Sequence, residues 1–161
     1  MKLILSLIVA LNLLRSPDIS EIRKIYPEAH NSESLSKELA SKLSKVDVKD
    51  DKTLVAYKGA SIMLLSKFSK NISYKIASLK EGSKLVELSV ATEPNNAEVH
   101  MIRLSIQENI PKFIDYRKNK KEDKDFILAH YNEQSGVLKA YLKTFVLQSK
   151  TFSDQEKKSI K

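Results

Sequence analysis

Glycine and proline are so scarce in this chain that few tight turns can be made. There are 3 Gly and 4 Pro among 161 residues, where ordinary usage puts about 12% of a chain in these two types. Elements must therefore be long. All seven residues fall where a helix could begin, end or kink: Pro17, Pro27, Gly59, Gly82, Pro94, Pro111 and Gly136. Ala, Leu, Lys, Glu, Ser and Ile fill the stretches between them, and the apolar positions recur at steps of three and four rather than alternating. The sequence predicts an all-α domain, an antiparallel helix-turn-helix array of about seven helices after an N-terminal segment.

At 161 residues with 42% hydrophobic side chains, the chain has the length of one domain and enough apolar surface for a core without metal or disulfide support. Cysteine is absent, which excludes disulfides, thiolate metal sites and a cysteine nucleophile.

The first segment carries Lys2 and then an apolar run from Leu3 to Leu14 broken only by Ser6 and Asn12. Twelve residues are too few for an ordinary membrane span and suit the apolar region of an export signal. Residues 1–15 are therefore expected to be a signal peptide, which would make the protein periplasmic or secreted. The alternative is a buried first helix in a cytoplasmic protein, which one polar stripe would favour. Lys2, Ser6, Asn12 and Arg15 share no such stripe at 100° per residue.

Polar caps then divide residues 16–152 into helices. Ser16-Pro17, or Asp18 with Glu21, starts the first, which Tyr26-Pro27 ends or bends. Leu35, Leu39 and Leu43 line the second, and Asp51 caps a third over Lys52 to Ser69, with Leu54, Tyr57, Leu64, Leu65 and Phe68 inward. There Gly59-Ala60-Ser61 is small enough to admit a neighbouring backbone. After Asn71, Ile72, Ile76, Leu79, Ser83, Val86 and Val90 form the cleanest stripe, expected to be core along its whole length. Asn95 with Glu98 reads as a capping box before Val99, Ile102, Ile106, Ile110 and Phe113, with a kink at Pro111. Asn119 with Glu122 and Ser135-Gly136 open the next two helices, and residues 153–161 are expected to fray.

The stretch Tyr57-Lys58-Gly59-Ala60 through Val90-Ala91-Thr92-Glu93-Pro94-Asn95-Asn96-Ala97-Glu98 resembles a tetratricopeptide repeat, with lengthened helices, and its junction to the next unit. The resemblance covers roughly residues 52–113 and rests mainly on the Pro-Asn-Asn-Ala-Glu junction. It implies paired antiparallel helices packed closest at Gly59. The chain is also similar to small, exported, uncharacterised bacterial helical proteins, a likeness that implies no activity.

No catalytic motif is present: H-E-x-x-H, E-x-x-H, G-x-S-x-G and glycine-rich phosphate loops are all missing. No catalytic residue, cofactor or metal ligand set is expected, and His130 with Glu133 reads as a surface hydrogen bond. The net charge of +8 raises nucleic acid or an anionic envelope polymer as partners. Yet Lys52, Lys58, Lys67, Lys70, Lys75, Lys80 and Lys84 scatter around a helical wheel, which makes nucleic acid the lesser reading. The candidate ligand-binding residues are His100, Arg103 and Gln107, one row at i, i+3 and i+7 beside the Val99, Ile102 and Ile106 stripe. On a concave repeat surface an Arg fork flanked by His and Gln would hold a carboxylate or a peptide backbone. The expected function is a non-enzymatic interaction module for a protein or peptide, with no stable membrane span. A hydrolase or metal enzyme is the least favoured reading.

Overall fold

Helix starts follow the side chains that can accept a backbone hydrogen bond. The computed structural model describes residues 16–111 and 113–160, so the expected signal segment 1–15 lies outside the described residues. Eight α-helices follow: α1 Ile19–Ala29, α2 Glu33–Leu43, α3 Lys52–Lys67, α4 Ile72–Thr92, α5 Ala97–Asn109, α6 Lys120–His130, α7 Gly136–Gln148 and α8 Asp154–Ser159. A 3-10 turn, Tyr131–Glu133, joins α6 to α7. The described residues are 73% helical with no strand, as the periodicity predicts.

Asp18, Ser32, Asp51, Asn71, Asn96 and Ser153 cap their helices through side-chain oxygens, each satisfying a backbone N–H left over at a helix start. Of the two starts expected for α1, Asp18 is the cap, accepting from Ser20 N at 2.9 Å. Asn96 rather than Asn95 caps α5, accepting from Glu98 N at 3.1 Å and Val99 N at 3.2 Å. Asn119 makes no cap hydrogen bond and instead donates to Glu122 Oε2 at 2.7 Å.

The most extensive helix pair is α3 against α4, and glycine sets its spacing. A methyl built on Gly59 would collide with the Gly82 carbonyl oxygen, and one on Gly82 with the Gly59 carbonyl oxygen. The two backbones touch where neither residue has a side chain. The inward face of α4 is therefore Ser78, Gly82, Val86 and Ser89. Of the predicted stripe, Val86 and Val90 are buried, while Ile72 and Ile76 are 73% and 63% exposed. The cause is antiparallel register: Arg103 of α5 meets Glu87 of α4, so α5 ends before it can cover the first two turns of α4.

Helix α5 is the centre. It contacts α3, α4, α6 and α7, and every residue from Ala97 to Leu104 is buried. The row of His100, Arg103 and Gln107, expected on an open concave surface, is covered because neighbours surround the helix. No kink forms at Pro111: α5 stops at Asn109 and Ile110 is extended, with φ −78° and ψ 150°, as the residue before proline must be. Phe113, expected on the apolar line, is consequently out in solvent at 88% exposure.

The tail also departs from expectation. Ser153 and Glu156 complete a capping box at α8, Lys124 of α6 binds Glu156 at 2.7 Å, and Phe152 and Ile160 are buried.

Candidate functional site

The row His100, Arg103 and Gln107 is interior: the three residues are buried on the side of α5 that meets α6 and α4. Arg103 donates Nε to Asp123 Oδ2 at 2.9 Å and Nη2 to Asp123 Oδ1 at 2.7 Å. Its Nη1 reaches Glu87 Oε2 at 2.9 Å and Nη2 also reaches Glu122 Oε1 at 2.8 Å. Every nitrogen of the guanidinium is engaged. Burial opposes the charge, but the hydrogen bond and charge of Asp123, joined by Glu87 and Glu122, hold the group more firmly protonated than a free arginine.

His100 places Nδ1 2.7 Å from Asp123 Oδ1 and Nε2 2.8 Å from the Pro94 carbonyl oxygen. Both ring nitrogens thus face oxygen atoms. Its face stacks on Phe126 at 4.0 Å between centroids, and Phe126 meets His130 at 4.2 Å. Tyr116 extends the cluster by donating to Glu87 Oε1 at 2.7 Å. Burial and then the Glu87 carboxylate push that phenol well above its ordinary range. Gln107, one turn beyond Arg103, does not join the network, and neither amide atom has a hydrogen-bond partner among the described residues.

A second polar cluster lies on another side of α5. Arg23 grips the buried Glu98 through Nε at 2.8 Å and Nη2 at 2.6 Å. Tyr57 donates to the same carboxylate at 2.7 Å. Burial, the neighbouring Tyr141 and Glu98 together raise the Tyr57 phenol well above its usual value.

His100, Glu122 and Asp123 bring three possible ligand atoms within 4.8 Å of one another. The Arg103 guanidinium already bonds both carboxylates, so a cation there would have to displace a buried positive charge. Glu122 and Asp123 serve as counter-ions of Arg103, and His100 shares Asp123 with it.

The sequence selected one side of the first cluster, His100 and Arg103, and no member of the second as a site. Asp123 and Glu122 stand among Lys118, Lys120, Lys121 and Lys124, where they read as interruptions of a basic run, and Glu87 stands among lysines. Glu98 did carry a signal. It lies four residues before Ile102 and eight before Ile106, on the apolar line, where a carboxylate needs a buried partner.

One open cleft is present beside this network. Thr92, Glu93, Pro94, Asn95, Asn96 and Ala97 at the α4–α5 junction face Gln134 and Leu138 at the start of α7, around a volume of about 560 Å³. The His100 hydrogen bond to the Pro94 carbonyl holds one wall of it. The chain matches no family model, no curated protein and no solved structure.

Proposed function

We propose that this protein is a non-enzymatic helical interaction module that binds a protein or peptide segment in the cleft between the α4–α5 junction and α7. The observation that carries the reading is the link between the buried ion network and the cleft wall. His100 and Arg103 spend their donors inside the fold, and His100 fixes the Pro94 carbonyl that lines the cleft. They position the wall rather than touch the ligand.

The lining suits a peptide. Asn95 is exposed, and Gln134 spends its Nε2 on the His130 carbonyl at 3.1 Å while its side-chain oxygen stays available. An amide side chain offers both a donor and an acceptor, which is the pairing a peptide backbone asks for. Leu138, Ala97 and Pro94 supply apolar contact between these polar groups.

The tetratricopeptide-like arrangement belongs to the same proposal, supported by the Gly59–Gly82 contact and by α5 packing on both α3 and α4. Export is supported by Lys2 and the Leu3–Leu14 run alone, and mass analysis of the N-terminus of the native protein tests it.

The decisive experiment selects peptides from a displayed random library against the whole protein. Thr92→Arg and Asn95→Arg, both at exposed positions, should fill the cleft and weaken the selected peptides at least tenfold while the circular dichroism stays unchanged. Peptides indifferent to both substitutions would refute the cleft as the binding site.

A further inference from the structure

The turn between α3 and α4, together with the first two turns of α4, projects from the fold with an unusual surface. All residues from Lys70 to Ala77 are exposed, among them Ile72 at 73%, Ile76 at 63% and Tyr74 at 43%. No aspartate or glutamate occurs anywhere from Lys52 to Lys80. Lys67 gives its ammonium to the His30 carbonyl, but Lys70, Lys75, Lys80 and Lys84 are exposed, and none of them enters an ion pair among the described residues. At 100° per residue, Lys75 and Lys80 flank the line of Ile72, Ile76 and Leu79, while Glu81 falls on the opposite side of the helix. Two of the lysines that look scattered along the whole segment, Lys75 and Lys80, therefore edge one apolar strip at its projecting end.

We propose that this tip is a docking surface for a bilayer rich in anionic lipid. The commitment to lipid rests on the combination of groups. Aliphatic side chains with nothing to pair can enter the boundary between headgroups and acyl chains, and flanking lysines reach back to anionic headgroups. A nucleic-acid backbone would satisfy the lysines and leave Ile72 and Ile76 in water. No helix among the described residues is long and apolar enough to cross a membrane, so the contact is peripheral. The surface is separate from the cleft and would hold the module at a membrane whether or not a peptide is bound.

The chain has no tryptophan, so Ser73→Trp, at an exposed position about 60° round the helix from Ile76, gives a single local reporter in the full-length protein. With vesicles of phosphatidylglycerol and phosphatidylcholine at low salt, its emission should shift to the blue and be quenched by brominated lipid. With phosphatidylcholine alone it should not. Adding Ile72→Ser or Ile76→Ser should weaken the partition roughly tenfold each, and Lys75→Glu at least fivefold. These positions are exposed, so circular dichroism should confirm an unaltered fold. The proposal fails if anionic vesicles bind the protein without shifting the emission, which would assign binding to another part of the chain. It also fails if the isoleucine variants bind as well as the parent, or if duplex DNA without lipid produces the same shift.

Discussion

Replacing Gly82 by alanine sets two effects of opposite sign against each other in the middle of α4. In an exposed helix the change would be favourable by about 1 kcal/mol, because alanine loses less backbone freedom. Here the new methyl would overlap the Gly59 carbonyl oxygen and lie 2.7 Å from Met63 Cγ. Met63 can rotate away, whereas the carbonyl is part of the α3 backbone and moves only if α3 moves. Restoring ordinary contact requires the two helices to part by about 1 Å, and a gap of that size forfeits up to half of each dispersion contact along the interface. Overpacking of this kind costs about 3 kcal/mol, which leaves a net loss of about 2 kcal/mol after the helix-propensity gain. For a chain of this length that lowers Tm by about 4–8 °C. Gly59→Ala makes the same contact from the other helix and should cost a similar amount. The double variant should cost less than the two single losses together, since helices already parted admit the second methyl. Gly136→Ala is the control: nothing lies within 4 Å of its methyl, but φ is +52°, and that conformation costs an alanine about 1 kcal/mol. Thermal and urea unfolding followed by circular dichroism gives all four values. A raised Tm for Gly82→Ala would refute the backbone contact.

Two further predictions concern the buried polar groups. Arg103→Met leaves Asp123, which is fully buried, without its main counter-charge, and should destabilise the fold by about 3–5 kcal/mol in urea unfolding. Glu122→Gln, at a side chain 57% exposed, should cost under about 1 kcal/mol, and equal losses would show that the network has no buried centre. Burial, only partly offset by the Ser105 hydrogen bond, pushes the Tyr26 phenol from 10.0 up to about 12, and Tyr57, Tyr116 and Tyr141 are raised as well. Because the folded state holds these protons more tightly, their stabilisation is complete below pH 10 and is lost as pH rises toward 12 and beyond. Phenolate absorbance from these four residues should rise together with loss of helicity above pH 10. Their complete ionisation around pH 10 in a folded protein would contradict the buried hydrogen bonds.

The helices are legible from neighbouring residues alone. Scarce glycine and proline, steps of three and four between apolar residues, and capping side chains at Asp51 and Asn71 are local properties, because a helix closes its hydrogen bonds within four residues. The missing side chain of Gly59 also announced a close approach of backbones, although its partner, Gly82, lies on the next helix. Tertiary structure decided what each helix face meets. His100, Arg103 and Gln107 share a row in any helical reading, but whether that row faces solvent depends on how many neighbours surround α5. Packing by α3, α4, α6 and α7 turned an expected ligand row into an interior network. The converse holds at Ile72 and Ile76, where a regular apolar stripe outruns the helix that would cover it. Charge pairing follows the same division. Arg103 and Asp123 are twenty residues apart, and Arg23 and Glu98 seventy-five. Such partners are selected by the cost of burying an unpaired charge, and that cost exists only once the chain has folded and removed the water.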